Sequence, residues 1–237
     1  DRRFFHAVDI VEAIGDDGVP YDAVLIGSGN RAHPKQEFDS GKDGFFVYKD
    51  QITGIDPATV ADIGVKTVDD LVEFTSAEAA EDISEEIASC AVNDTDCESL
   101  RDNLNNNGWW IPLGDNGDGE KVLSTSVTFE GNIYFTSYVP NVQFITEDED
   151  ATIICGPKEG AAYTYVVNLY DGTPAFTTFP NGDWSINTGA GIPSDPIVVV
   201  LDGDVYVTPG NIPTTEEFRK KAGETPLLKS YWYELDS

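Results

Sequence analysis

The stretch 21–34 (YDAVLIGSGNRAHP) carries glycine, serine and histidine, the residue types that anion-binding loops and hydrolytic sites use. An apolar run ends at the Gly-Ser-Gly sequence of residues 27–29. A phosphate-binding loop needs a helix directly after its glycines, because backbone N–H groups and the helix dipole must face the anion. Pro34 follows instead, without apolar periodicity. The sequence therefore argues against a nucleotide site here.

A serine hydrolase is the second chemical possibility at this stretch. Ser28 precedes His33 by five residues, but the Gly-x-Ser-x-Gly pattern that exposes a nucleophilic serine is missing. The sequence holds one other histidine, His6. We predict no catalytic residues, and we expect Arg31 and His33 to hold loop carbonyls or a carboxylate of a neighbouring sheet.

Four oxygen-bearing side chains alternate with glycines in the segment LGDNGDGE, and they form a candidate calcium site: Asp115, Asn116, Asp118 and Glu120. Calcium prefers six to eight oxygen ligands, and calcium loops crowd such ligands around glycine. Counted from Asp115, the twelfth position is Ser126 rather than the bidentate glutamate of an EF-hand loop. A solvated turn is the alternative, and calcium is the one cofactor that we predict.

Three cysteines occur: Cys90, Cys97 and Cys155. A disulfide between Cys90 and Cys97 would suit an oxidising compartment outside the cytoplasm, and two reduced thiols are the alternative. We expect Cys155 to pair with a residue outside this sequence. The spacing does not match a four-ligand zinc site.

The charge of the chain excludes two classes of partner. The 237 residues include 14 basic and 43 acidic side chains, which gives a net charge of −29. Nucleic acids and anionic membranes both need a positive patch, so we expect neither as a partner. A hydrophobic content of 40% indicates a globular protein, and no apolar run reaches the ~20 residues of a membrane-spanning helix. Two interpretations of the acidic charge stay open: a salt-adapted surface, or an affinity for cations.

The sequence contains two segments that resemble each other and predict the same pair of β-strands. The segments 129–136 (FEGNIYFT) and 201–208 (LDGDVYVT) match position by position. Each predicts the turn and return strand of a β-hairpin, with Glu130-Gly131 or Asp202-Gly203 supplying the positive φ angles of the turn. Aromatic-rich strands are predicted in the ranges 43–54, 160–174 and 229–237.

This repetition predicts an all-β fold, a β-propeller of which about three blades are present, and residues 1–237 would be the C-terminal part of that one domain. A plain β-sandwich is the alternative. Residues 56–107 interrupt the strands with helix signals, and Thr75 and Thr95 read as N-caps. This predicted helical insertion carries 14 acidic residues against two basic ones.

The corner Gly-Ser-Gly-x-Arg-x-His-Pro and the strand Gly119–Ser124 (GEKVLS), followed by its hairpin, resemble the C-terminal β-propeller domain of the PilC/PilY family. These proteins are type IV pilus tip adhesins and biogenesis factors of Gram-negative bacteria. The resemblance implies a secreted, non-enzymatic protein at the pilus tip, associated with the outer membrane. Its implied partners are pilins or minor pilins, an N-terminal part of the same protein, and a host or abiotic surface.

Some features of that family cannot be transferred to this sequence. No full Asp-x-Asp-x-Asn/Asp-Gly calcium loop and no Arg-Gly-Asp motif are present, and an N-terminal adhesive module would lie outside the chain. Two other functions stay open: a propeller enzyme, such as a quinoprotein dehydrogenase or a hydrolase, and a purely structural subunit of a cell-surface assembly.

Overall fold

The computed structural model describes residues 2–15, 18–35, 43–51, 66–91, 94–140, 159–175, 183–201 and 204–208. Strands dominate this part of the chain, which confirms the all-β class. The strands are β1 (Asp9–Ile14), β2 (Pro20–Gly27), β3 (Gly44–Asp50), β4 (Val72–Glu73), β5 (Gly108–Pro112), β6 (Lys121–Val122), β7 (Val127–Phe129), β8 (Asn132–Val139), β9 (Ala161–Asn168), β10 (Ser185–Ala190), β11 (Ile197–Leu201) and β12 (Asp204–Thr208). The helices are α1 (Ala77–Ala88) and α2 (Thr95–Asn106).

The first sheet, called sheet 1, has the strand order β1-β2-β3-β5-β4. Its strands are antiparallel except for β4 and β5, which run parallel. Side chains alternate across β2 in the order that a half-buried strand requires. Tyr21, Ala23 and Leu25 are buried on one face, whereas the residues between them are partly exposed on the other.

The second sheet, called sheet 2, has the order β10-β9-β8, and both β6 and β7 pair with the remaining edge of β8. The strand predicted at Gly119–Ser124 is shorter in the structure, where β6 covers Lys121–Val122 and the chain leaves the ladder before β7. Ser124 fills the gap, because its hydroxyl accepts a hydrogen bond from the Thr136 backbone N–H (3.0 Å) and donates one to the Thr136 carbonyl (3.2 Å). The interrupted edge therefore stays attached to β8.

The two sheets share one hydrophobic core. The ring of Phe45 in β3 stacks on Phe135 in β8 with centroids 3.9 Å apart, and Phe135 stacks on Tyr165 in β9 at 4.6 Å. Leu25 and Ile133 are fully buried beside them. Burial of apolar surface stabilises a fold by about 25 cal/mol per Å², so this aromatic stack helps to hold the two sheets together.

The predicted hairpin turn at Glu130-Gly131 is confirmed, with φ angles of 48° and 75° between β7 and β8. Strands β11 and β12 also pair as a hairpin, from Ile197 opposite Thr208 to Leu201 opposite Asp204. The predicted turn at 202–203 and the predicted strand at 229–237 lie outside the described residues. Within the described ranges the sheets do not close into a ring, so the propeller stays a prediction.

Both helices lie within 56–107, the range predicted as a helical insertion, but the predicted caps are wrong by one residue. Ser76 caps α1, since its Oγ accepts from the Ala79 N–H at 3.1 Å, and Asp94 caps α2 through the Cys97 N–H at 3.3 Å. In both cases the side-chain oxygen that reaches the third helical residue decides where the helix begins.

Neither helix is long and apolar enough to cross a membrane, and no other helix in the described ranges is.

Candidate functional site

The glycine corner, residues 27–35, lies where sheet 1 meets sheet 2. The Val122 N–H of β6 donates to the Ser28 carbonyl at 2.9 Å, so the end of β2 lies directly against β6. A Cβ at Gly27 would overlap the Val122 side chain, and one at Gly29 would overlap the Val122 carbonyl oxygen. Glycine is therefore needed at both positions for close packing rather than for holding a phosphate.

The hydroxyl of Ser28 is fully buried and is engaged in two hydrogen bonds. It donates to the Asp43 carboxylate at 2.8 Å and accepts from the Gly44 N–H at 2.9 Å. Neither of these two partners is a histidine, the side chain that would activate a nucleophilic serine. Burial raises the pKa of Asp43, while the Ser28 hydrogen bond and the positive charge of Lys121 oppose that rise. Ser28 thus fixes the start of β3 to the corner.

The corner is also tied to sheet 2 by two basic side chains. Arg31 donates to the Leu123 carbonyl at 2.7 Å and approaches the ring of His6 at 3.5 Å. Lys121 is fully buried and donates to the Pro34 carbonyl at 3.0 Å. The predicted carbonyl-holding role fits Arg31, whereas the side chain of His33 is exposed. The pKa of His6 is lowered by burial and by the Arg31 charge.

The loop 114–120 is organised around Glu120, a glutamate with only 2% of its surface exposed. Its carboxylate accepts five hydrogen bonds. The donors are the Gly114 N–H (3.0 Å), the Asn116 N–H (3.3 Å), the Asn116 side-chain amide (2.9 Å), the Tyr165 hydroxyl (2.9 Å) and the Ser137 hydroxyl. Buried carboxylates are stable when hydrogen-bond donors surround them in this way. Glu120 therefore links its loop to β8 and β9.

This geometry bears on the candidate calcium ligands. Glu120 is buried in its network, Asn116 is half-buried, and Asp115 and Asp118 are exposed. The structure thus separates Glu120 from the other two carboxylates instead of directing all of them at one point. No group of three or more His, Cys, Asp or Glu side chains in the described part of the chain is placed to hold a metal ion. Calcium binding stays a prediction.

Tyr165 is the partner of Glu120 that the sequence does not reveal, because 45 residues separate the two. Burial raises the pKa of the Tyr165 hydroxyl well above its usual value, and the Glu120 carboxylate adds to that rise. The hydroxyl therefore stays protonated and donates a hydrogen bond to the carboxylate. Asn116 also donates to the Tyr165 oxygen at 2.7 Å, so the loop contacts the Tyr165 hydroxyl through both Asn116 and Glu120.

The structure joins Cys90 and Cys97 by a disulfide, with their Cα atoms 5.9 Å apart. The bond connects the residues after α1 to the first turn of α2, and it keeps the two helices side by side. Cys155 lies outside the described residues.

These observations define a β-rich protein in which two sheets share an aromatic core and meet at a glycine corner. Comparisons with protein-family models and with curated proteins find no match. Among solved structures, the C-terminal domain of Pseudomonas aeruginosa PilY1 is similar, with a TM-score of 0.54 and 13% sequence identity over 87% of this chain. This chain spans 43% of that one. The likeness supports a PilY1-like fold.

Proposed function

We propose that this chain is part of a non-enzymatic protein of the type IV pilus system, which supports pilus assembly and attachment to surfaces or host cells. The observation that carries this proposal is the fold shared with the PilY1 C-terminal domain over 87% of the chain. The corner motif, on which the sequence resemblance rests, supports it independently. The protein would act outside the cell at the pilus tip, with pilins or minor pilins as partners.

The structure of the corner supports a scaffold role rather than turnover. The Ser28 hydroxyl and the Arg31 guanidinium are both engaged in hydrogen bonds between elements. A catalytic group needs to reach a substrate. A buried serine that holds Asp43 and Gly44 has no such access.

We further propose that the sheets belong to a β-propeller. Sheet 1 and sheet 2 each present one face to the shared core, and stacked sheets of this kind build propeller blades. The 43% coverage of the solved domain leaves room in that architecture for further sheets. Calcium bound through Asp115 and Asp118 is a secondary proposal, and its test is given below.

Competition is the direct test of the adhesive function. The purified chain is added to piliated cells of the organism that encodes it, and cell attachment to an abiotic surface and to host cells is counted. We expect attachment to fall as the chain occupies the receptor. The Gly29→Ala variant, which disturbs the corner, should compete less well, and an exposed helix variant such as Glu81→Gln should compete like the wild type.

The enzymatic alternative makes a different prediction. A propeller hydrolase would lose turnover of ester or glycoside reporter substrates when Ser28 or His33 is changed to alanine, and a quinoprotein would show cofactor absorbance after purification. Measurable turnover that disappears in Ser28→Ala while the fold is retained would overturn the scaffold proposal.

A further inference from the structure

Strand β1 forms one edge of sheet 1, and in the described part of the chain it pairs only with β2. Its outward side chains are unusually apolar for an edge, with Ile10 60% exposed and Ile14 63% exposed on either side of the exposed Glu12. An open strand edge presents a row of N–H and C=O groups that another strand can bind. Many proteins protect such an edge with charged side chains, lysine above all, or with proline or a bulge. Within its six residues β1 has no proline, lysine or bulge, and Glu12 is its one outward-facing charge.

Strand β10, which forms one edge of sheet 2, differs from β1 in polarity and in regularity. Strand β10 is polar (SINTGA), and its register shifts between Asn187 and Gly189. Such a bulge twists an edge away from further pairing. Only one of these two edges is therefore suited to accept another strand.

An apolar surface continues from β1 across the outer face of sheet 1. Ile10 lies opposite Val24, and Val24 lies opposite Tyr48, so these three side chains form one row. Six of the ten exposed large hydrophobic side chains in the described residues belong to the first 19 positions: Phe4, Phe5, Val8, Ile10, Ile14 and Val19. Phe4 packs against Phe46, and Phe46 packs against Tyr48, so the apolar face of sheet 1 continues to this N-terminal segment. An exposed apolar face of this kind marks an interaction surface.

A row of carboxylates crosses the same face and defines the charge of the partner. Glu12 lies opposite Asp22, and Asp22 lies opposite Asp50, so three acidic residues line up across three strands. Opposite charges on neighbouring strands stabilise a sheet. A cationic side chain placed next to the exposed Glu12 on an added strand would therefore be favoured. The net charge of −29 also opposes pairing with a second copy of the chain.

We propose that β1 binds an extended segment of another polypeptide by β-strand addition, and that the outward residues of this segment read apolar–basic–apolar against Ile10, Glu12 and Ile14. Backbone hydrogen bonds along β1 supply affinity, and the alternating side chains supply specificity. The apolar residues extend the row that begins at Ile10, while the basic residue lies beside Glu12. This inference rests on β1 and on the rows that continue it across β2 and β3, and it does not depend on the pilus proposal.

Two labelled peptides test the proposal by fluorescence anisotropy with the 237-residue chain. The first is Ser-Val-Thr-Lys-Thr-Val-Ser, whose pattern is the same in both strand directions, and the second has Glu in place of Lys. We expect the Lys peptide to bind at least several-fold more tightly. Glu12→Lys should reverse this preference, and Ile10→Lys should abolish binding of the Lys peptide. Ile197→Lys, at another exposed apolar position, should leave binding unchanged.

Because Ile10 is exposed, Ile10→Lys should melt like the wild type by circular dichroism. Glu12→Lys places Lys opposite Asp22 and should melt no lower than the wild type, so a loss of binding reports on the edge itself. Equal binding of the two peptides, or a preference that Glu12→Lys does not change, would overturn the charge pattern. Failure of the Lys peptide to bind would overturn strand addition. A wild-type dimer that Ile10→Lys dissociates in sedimentation would show a second copy as the occupant and overturn the proposed partner.

Discussion

Replacement of Glu120 tests how the loop 114–120 is held to the sheets. The carboxylate accepts two backbone N–H groups, which cannot turn to other acceptors, and three side-chain donors, which can. A buried donor left without a partner costs ~1–3 kcal/mol. We therefore expect Glu120→Ala to lower the free energy of unfolding by about 2–4 kcal/mol.

Glu120→Gln is the more discriminating change, because it keeps the shape and removes the charge. Its remaining oxygen can stay with the two backbone donors, while its amide faces the hydroxyls of Ser137 and Tyr165. We expect a loss of about 1–2 kcal/mol, which is a measurable part of the ~5–15 kcal/mol that stabilises a typical domain.

The assay is urea unfolding followed by tryptophan fluorescence, with EDTA present so that no bound cation contributes. With a urea dependence of ~2–3 kcal/mol per M, the midpoint of Glu120→Gln should fall by about 0.5 M. Glu81→Gln, an exposed change on α1, is the matched control and should stay within ~0.5 kcal/mol of the wild type. An unchanged midpoint for Glu120→Gln would refute the proposed role of the network.

Three further changes test other parts of the structure. Gly29→Ala should destabilise the chain by about 1–3 kcal/mol in the same assay, because its Cβ would overlap the Val122 carbonyl oxygen; an unaltered midpoint would contradict the close approach. Burial raises the pKa of Asp9, so the folded state binds this proton more tightly than the unfolded state, and wild-type stability falls as pH rises through that pKa. Asp9→Asn should therefore gain in melting temperature relative to the wild type as pH rises above about 4, the ordinary pKa of an aspartate, and a pH-independent difference would count against this. Asp118→Ala should weaken any calcium-dependent rise in melting temperature, and an unaltered calcium response would remove this loop as a calcium site.

The parts of the fold that the sequence predicts are those governed by neighbouring residues. The Glu130-Gly131 turn follows from local backbone preference, and the Cys90–Cys97 disulfide joins residues seven apart. The predicted cap of α1, Thr75, lies one residue before the observed cap, because Thr75 and Ser76 are both good caps and only the side chain that reaches the third helical residue decides between them.

The parts that the sequence does not predict depend on contacts between distant segments. Strand β1 (DIVEAI) mixes four apolar residues with two acids, and only its burial and its pairing with β2 show that Ile10, Glu12 and Ile14 face outward. Glu120 reads as a metal ligand because Ser137 and Tyr165 lie 17 and 45 residues away. The break between β6 and β7 depends in the same way on Ser124 bonding to Thr136.

The most direct measurement of the central claim is the amount of surface pili and the attachment of cells that lack the gene for this chain. The proposal predicts that deletion lowers both shear-released pilin and attachment, and that the wild-type gene restores them. Normal piliation together with normal attachment in the deletion strain would contradict a role in the type IV pilus system.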